Sequence, residues 1–258
     1  MRGRSDQVVV RGDGSDAGGV DPQQLWLDSD RPRKGRKPAF SRAAITAAAV
    51  ALADAEGIDA VTMRRVASEV GAGVMSLYSY APDKETLLQL MVDQVSGELS
   101  PPDPLTGDWR ADLKAIAHAQ RALMLRHPWL PTALLNRRWS LGPNTLAFLE
   151  HALAALRPTA LDGGAKLEVF SLITGFAARL VADEIAQAAL SASPERAAAE
   201  ARYLAAVAAD GHHPELAEAL SAPARPLTPD ATFTRLLDRM VDGLDAARKA
   251  ARGYRPGR

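Results

Sequence analysis

The sequence predicts an all-α protein, built from a small N-terminal helical domain and a larger helical bundle. Alanine, the residue that most favours helices, is abundant, and runs of β-branched residues are few. Apolar residues recur with helical spacing in segments that prolines and glycines separate. The chain has 258 residues, of which 47% are hydrophobic, so it is long enough for two units with buried cores.

The composition excludes several classes of protein. The sequence contains no cysteine, which excludes disulfides, thiolate catalysis and cysteine-based metal sites. No apolar run reaches the roughly 18 residues that span a membrane, and the N-terminus lacks the apolar core of a signal peptide. We therefore expect a cytoplasmic protein without membrane partners.

The net charge of zero hides a basic N-terminal region. Residues 31–80 contain eight lysines and arginines against four acidic residues. An excess of positive charge in one segment favours a polyanionic partner for that segment.

Residues 1–31 are predicted to be a disordered extension, because a glycine-rich, polar segment buries too little apolar surface to offset its ordering entropy. Within it, the apolar residues 25–27 are expected to be only loosely attached. A basic arm follows at residues 31–38, and the domain that contains this arm is predicted to span residues 32–98.

Four helices are predicted in this domain. The first begins after Ser41, a residue suited to cap a helix, and ends at Gly57. Thr62 is expected to cap the second helix. The third and fourth are expected to begin at Val74 and at Lys84, and the fourth to reach about residue 98.

Prolines at 101, 102 and 104 mark the predicted start of a second domain, residues 101–258. We expect six helices in it, near Trp109–Arg126, Leu130–Arg137, Pro143–Leu156, Gly164–Leu190, Pro194–Asp210 and Pro229–Arg252. His212 and His213 are expected to lie in an exposed loop.

The stretch 61–80 has the pattern of a helix-turn-helix, since two short helices flank a turn with Gly71 and Gly73. The small Ala67 suits a close helix crossing. The second helix would lie in the major groove of DNA with its first residues against base edges. The pattern therefore predicts binding to double-stranded DNA.

Side-chain chemistry suggests a role for each candidate. Gly73 allows close approach, Val74 and Met75 suit thymine methyl groups, and Ser76 suits a base or a phosphate. Arg64 suits a base edge or the backbone, and Tyr80 suits either. The candidate phosphate contacts are Thr62, Tyr78 and Lys84, joined by the arm residues Arg33, Lys34, Arg36 and Lys37, which could follow the backbone or enter a minor groove.

Each candidate also has a structural interpretation. Val74 and Met75 could belong to the core, Ser76 could cap a helix, and Tyr78 could pack internally. Arg64 could belong to a solvated face, and the arm could be a solubilising tail. The ordered array is a stronger indication than any single residue.

The segments Ser41–Ile45, Ala55–Ala67, Met75–Tyr78 and Asp83–Leu88 together resemble the DNA-binding domain of TetR-family repressors. The resemblance runs from Phe40 to Val95. It implies a transcriptional regulator, most simply a repressor, that binds a palindromic operator as a dimer and is released by a small-molecule inducer.

Residues 126–130 and 141–146 are similar, more loosely, to the C-terminal domain of the tetracycline-repressor subgroup, which dimerises and holds an inducer. Two long apolar stripes, on 164–190 and 229–252, could pair with those of a second copy or serve only the core of one chain.

No cofactor or metal is predicted. The candidate pocket residues are His118, Arg121, Trp129, Asn136, Trp139, Asn144, Phe148, His151, Phe170 and Thr174.

The sequence disfavours two other classes of function. An enzyme is disfavoured, because the sequence has no nucleophile elbow, P-loop, dinucleotide fingerprint or His-Glu-x-x-His motif. A helical adaptor that binds protein rather than DNA is disfavoured by the basic arm and by Lys84. Activation in place of repression stays open, as do the operator, the inducer and the controlled genes.

Overall fold

The computed structural model describes residues 20–27, 40–136, 141–221 and 228–253. For residues 136 and 247–253 it describes the backbone only. Every regular element in these ranges is helical, which confirms the predicted all-α class. Within them lie α1 (Pro22–Trp26), α2 (Arg42–Glu56), α3 (Met63–Glu69), α4 (Val74–Tyr78), α5 (Lys84–Ser96), α6 (Trp109–Arg126), α7 (Leu130–Asn136), α8 (Pro143–Ala155), α9 (Gly163–Ser191), α10 (Pro194–Ala209), α11 (Pro214–Ser221) and α12 (Pro229–Gly253).

The N-terminal helices begin where the sequence supplies a capping oxygen. The Ser41 hydroxyl accepts from the Ala44 amide at 3.0 Å, and the Asp83 carboxylate accepts from the Thr86 amide at 2.6 Å. Helix α2 packs on α3 and α5, and α3 packs on α4. Their shared core is fully buried and includes Ile45, Ala49, Val66, Leu77 and Leu87.

The C-terminal helices are arranged around α9, which contacts α6, α7, α8, α10 and α12. Helix α5 reaches this bundle, since it packs on α7 and α8 as well as on α2. Helix α5 therefore belongs to both parts of the molecule, and any movement of one part relative to the other has to involve it.

The structure corrects the expectation of disorder for residues 20–27. Asp21 accepts from the Gln23 amide at 2.9 Å, and Pro22 occupies the first position of α1. Leu25 is only 2% exposed within the main core, and its carbonyl accepts from the Arg42 guanidinium at 2.8 Å. The segment is thus docked rather than loosely attached. The rest of the predicted extension lies outside the described residues.

A second difference lies after His213, where the sequence analysis expected no further helix before Pro229. Eight residues form α11, which packs on α10 and has no buried residue. A helix this short leaves little periodicity to detect. Among the described helices, none combines the length and the apolar character that crossing a bilayer requires.

Candidate nucleic-acid interface and ligand cavity

Helices α3 and α4 are joined by a tight turn that needs a glycine. Gly71 has a φ of +68°, a conformation that strains residues with a Cβ. The next amide, that of Ala72, donates to the carbonyl of Ala67 at 2.8 Å. Ala67 is 1% exposed where α3 meets its neighbours. These features fix the angle at which α4 projects.

Helix α4 buries one side and presents the other to solvent. Leu77 is fully buried, whereas Met75 is 81% exposed and Tyr78 is 41% exposed. Ser76 is also exposed, and Val74 is half-buried against the core. Exposure to water is unfavourable for a large apolar side chain such as Met75. Its exposure on a short helix that is anchored in the core therefore indicates a contact surface.

The two arginines of α3 differ in their surroundings. Arg64 is exposed and has no ion-pair or hydrogen-bond partner within the described part of the chain. Arg65 donates to both carboxylate oxygens of Glu56, at 2.6 and 2.7 Å. Thr62 is exposed and caps α3, because its hydroxyl accepts from the Arg65 amide at 3.2 Å. Arg64 is therefore the free cation of this surface among the residues described.

The start of α5 lies beside the same surface. The Lys84 ammonium is half-buried and lies 3.5 Å from the carbonyl of Ile58, so it is only weakly held. The Tyr80 hydroxyl donates to the carbonyl of Phe40 at 2.9 Å. That bond ties Phe40, two residues beyond the basic arm, to the segment that follows α4.

The basic arm supplies the other predicted contacts with DNA. Its four candidate residues fall outside the described ranges: Arg33, Lys34, Arg36 and Lys37. The other nine candidates for DNA contact lie between Thr62, which caps α3, and Lys84, which begins α5.

A cavity of about 390 Å³ lies in the C-terminal bundle, reached by side chains of α5 to α9. Its described lining is mostly aliphatic and aromatic, with a few hydroxyl and amide groups and no charged side chain. The lining residues are Ser96, Leu99, Gln120, Leu123, Met124, Leu130, Leu134, Leu135, Leu141, Thr145, Phe148, Leu149, Leu167, Phe170, Ser171, Thr174, Gly175 and Ala178. This volume and chemistry suit a largely apolar small molecule.

Three of the ten candidate pocket residues line this cavity: Phe148, Phe170 and Thr174. The described part of the chain leaves out Trp139 and the side chain of Asn136. His151 is half-buried on α8 and is absent from the lining.

The remaining four candidates are engaged in contacts elsewhere. His118 packs edge-on against Phe233, with ring centroids 5.2 Å apart. Arg121 is paired with Glu184 at 2.8 Å. The indole N–H of Trp129 donates to an Asp54 carboxylate oxygen at 2.7 Å. Asn144, the fourth, donates to α5 through the Asp93 carbonyl at 3.1 Å.

The sequence did not point to a buried amide that lines the cavity. Gln120 is only 5% exposed, and its amide donates to the Thr174 hydroxyl at 2.8 Å. The signal available was its position four residues after the buried Ile116 on α6. No group of three histidine or acidic side chains that could hold a metal ion occurs among the described residues.

The junction between the two parts of the molecule is polar. His127, which ends α6, has Nδ1 2.8 Å from Asp54 and Nε2 3.2 Å from Glu98. Burial alone would raise the pKa of Glu98, but the hydrogen bonds and charges of His127 and Arg126 outweigh it and lower that pKa. The C-terminal end of α6 is thus fastened to α2 and to the residues that follow α5.

Two family models match the chain. Residues 101–248 match the family described as "Tetracyclin repressor-like, C-terminal domain", and residues 45–91 match "Bacterial regulatory proteins, tetR family". The first match alone covers more than half of the sequence.

A curated relative is the HTH-type transcriptional repressor DrrR1 of Streptomyces coeruleorubidus, which is 39% identical over 175 residues. The match covers 67% of this chain and 64% of the relative, so the chain spans just under two thirds of that protein's length.

Similar solved structures come from Streptomyces coelicolor. Apo ActR aligns with a TM-score of 0.69 and 26% identity, over 84% of this chain and all of that one. ActR in complex with actinorhodin aligns with a TM-score of 0.67 and 28% identity, over 81% of this chain and 98% of that one.

Proposed function

Because the chain belongs to the tetR family of bacterial regulatory proteins, we propose that it is a ligand-responsive transcriptional repressor. It binds an operator through α3 and α4 in the cytoplasm, and a small molecule in the cavity releases it. The curated relative is named as a repressor, and a similar structure holds a small molecule, which supports both halves of the proposal.

The observation that carries the DNA-binding half is the solvent-facing side of α4. Met75 is 81% exposed, while Leu77 anchors the same helix in the core. An apolar side chain in this position can meet thymine methyl groups, and the exposed Ser76 beside it can hydrogen-bond a base edge. Arg64 adds a cation that no carboxylate neutralises among the residues described.

Two copies of the chain are needed to read an operator with two half-sites. We place the contact between copies on α9 and α12. On α12, Phe233, Leu237 and Val241 are buried within one chain, but Leu236 and Met240 are only half-buried. A second copy would cover the latter two, and light scattering of the purified protein measures the resulting dimer.

The cavity supplies the ligand half of the proposal. Its described lining offers apolar walls and hydroxyl or amide groups, so the effector is a mainly apolar molecule with a few hydrogen-bonding groups. For release, the effector must bind the DNA-incompetent arrangement more tightly than the DNA-binding one.

The test is selection of duplexes from a random pool by purified protein. We expect enrichment of an inverted repeat whose half-site centres lie about 10 base pairs, or a multiple of that, apart. The double variant Arg64→Ala/Met75→Ala should enrich nothing. A matched control is Arg196→Ala, which removes an exposed arginine from α10 and should enrich the same repeat.

Enrichment of no sequence by the wild-type protein contradicts the DNA-binding proposal. Equal enrichment by the double variant contradicts the assignment to α3 and α4. Circular dichroism of each variant confirms that its helices are intact.

A further inference from the structure

A carboxylate of α5 caps the first turn of α8. Asp93 is only 5% exposed. One of its oxygens accepts from the Thr145 amide at 2.9 Å and from the Thr145 hydroxyl at 3.0 Å. The other lies 3.3 Å from the Asn144 side-chain amide, which also donates to the Asp93 carbonyl at 3.1 Å. Helix α8 has no capping side chain of its own, since Gly142 precedes it.

Gly142 makes this contact sterically possible. A Cβ on Gly142 would lie 2.3 Å from the carboxylate carbon of Asp93, far inside van der Waals contact. The backbone of Gly142 has a φ of −77°, which any residue can adopt. The need for glycine here therefore comes from the approach of Asp93 and not from the backbone.

The capped turn also lines the cavity. Thr145, which binds Asp93 through its hydroxyl and its amide, is a lining residue, and Phe148 and Leu149 follow it on α8. Ser96, three residues after Asp93 on α5, lines the cavity too. A molecule that fills the cavity therefore contacts the same turn of α8 that Asp93 holds.

We propose that Asp93 is the positioning residue that couples the cavity to the DNA-binding helices. The inference rests on the function proposed above. Helix α5 also packs on α2, and α2 packs on α3. Displacement of the first turn of α8 pulls on the Asp93 carboxylate and thereby on α5.

The strength of the link follows from burial. If α8 moved away from α5, the buried Asp93 carboxylate would lose its hydrogen-bond donors and carry the full free-energy cost of desolvation. Helix α5 therefore moves with α8. The carboxylate also faces the partial positive charge at the N-terminus of α8. An apolar contact could slide, whereas this directional set of hydrogen bonds transmits a displacement.

The experiment measures amide hydrogen exchange at one end of the link while the other end is perturbed. Full-length protein is studied with a duplex recovered from the selection described above. It is studied separately with N-phenyl-1-naphthylamine, an uncharged dye that fluoresces in apolar cavities. In the wild type, the duplex should change the exchange of the first turn of α8, and the dye should change that of α5. Coupling is reciprocal, so the dye should also change duplex affinity, by a factor between about 5 and 150.

Asp93→Asn keeps the size of the side chain but removes its charge, and Gly142→Ala displaces the carboxylate from the α8 side. We expect both variants to bind duplex and dye separately, with the effect of one ligand on the other reduced to less than about twofold. The control is Asp162→Asn, since Asp162 caps α9 at 2.8 Å and has no described contact with α5. It should keep the wild-type coupling.

Full wild-type coupling in both folded variants would overturn the proposal. Loss of coupling in the Asp162 control to the same extent would overturn it as well, because any lost cap would then suffice. If wild-type protein selects no duplex, the DNA-binding proposal fails by itself. In that case, amide hydrogen exchange of α5 in the presence of the dye tests the coupling through Asp93. An equal response in the wild type and in Asp93→Asn would contradict it.

Discussion

Arg65 and Glu56 form a two-point ion pair between α3 and the last residue of α2, with N–O distances of 2.6 and 2.7 Å. This pairing holds the Arg65 guanidinium against α2. Arg64, its neighbour in sequence, has no such partner among the described residues. Two adjacent arginines therefore differ in how freely they can reach DNA.

The pH dependence of this pair can be predicted. The hydrogen bond from Arg65 is the main cause that lowers the pKa of Glu56 below its ordinary value of 4.5. The pair therefore stabilises the folded state above about pH 4.5, and that contribution is lost as the pH falls through the lowered pKa. Carboxyl NMR titration should show the low pKa in the wild type and a value close to 4.5 in Arg65→Ala. An unchanged titration in the variant would refute the ion pair.

The docking of α1 predicts a stability effect. Leu25 is 2% exposed, whereas Leu27 is 75% exposed. Leu25→Ala should lower the free energy of unfolding by about 2 kcal/mol, because it removes a buried side chain and leaves a cavity. Leu27→Ala serves as the matched control and should change it by less than about 0.5 kcal/mol. Urea unfolding measures both, and equal effects would show that α1 is not docked through Leu25.

Trp129 is predicted to act in the junction and not in ligand binding. Trp129→Phe removes the hydrogen bond to Asp54, a carboxylate, and should cost about 1.5–3 kcal/mol of stability. Affinity for N-phenyl-1-naphthylamine, measured by fluorescence titration, should not change. A large drop in dye affinity without a loss of stability would instead place Trp129 in the binding site.

The cavity can be filled from α9. Gly175 lines it, and a Cβ built there meets nothing within 4 Å. The phenyl ring of Gly175→Phe should occupy the space that the dye needs. We expect the dye to bind about tenfold more weakly or worse, which corresponds to a loss of about 1.4 kcal/mol or more of binding free energy. It should not lower stability, because glycine is unfavourable within a helix. Gly163→Phe, at the exposed first residue of α9, should leave dye binding unchanged. Dye affinity that survives Gly175→Phe would place the dye elsewhere.

The sequence was sufficient for the helices that carry strong caps and long apolar stripes. The predicted caps Ser41 and Thr62 each cap a helix in the structure, and glycine at 71 adopts the positive φ that its turn requires. These are local effects, which is why local patterns predict them.

The pocket could not be derived in the same way, because it depends on which side of each helix faces the others. From the sequence, Trp129 and Arg121 were candidate ligand contacts. In the structure Trp129 is bound to Asp54 and Arg121 to Glu184, and each partner lies more than sixty residues away in sequence. Gln120 lines the cavity instead. The contact of Asp93 with Gly142 could not be predicted from the sequence for the same reason, because no local pattern connects α5 with the first turn of α8.

The central claim is that α3 and α4 bind DNA, and a salt titration of duplex affinity tests it most directly. Wild-type protein, Arg64→Ala and Arg65→Ala are compared on the DNA upstream of the gene for this chain and on a random duplex. The account predicts wild-type binding to the upstream DNA that is tighter than to the random duplex and falls steeply with salt. Arg64→Ala should lose about 1–3 kcal/mol of binding if Arg64 contacts a base, or about one unit of salt slope if it contacts a phosphate, and Arg65→Ala should lose less. Equal affinity of the wild type for both duplexes would exclude an operator in this upstream DNA. A larger loss in Arg65→Ala than in Arg64→Ala, or an affinity of the wild type that does not fall with salt, would contradict the account.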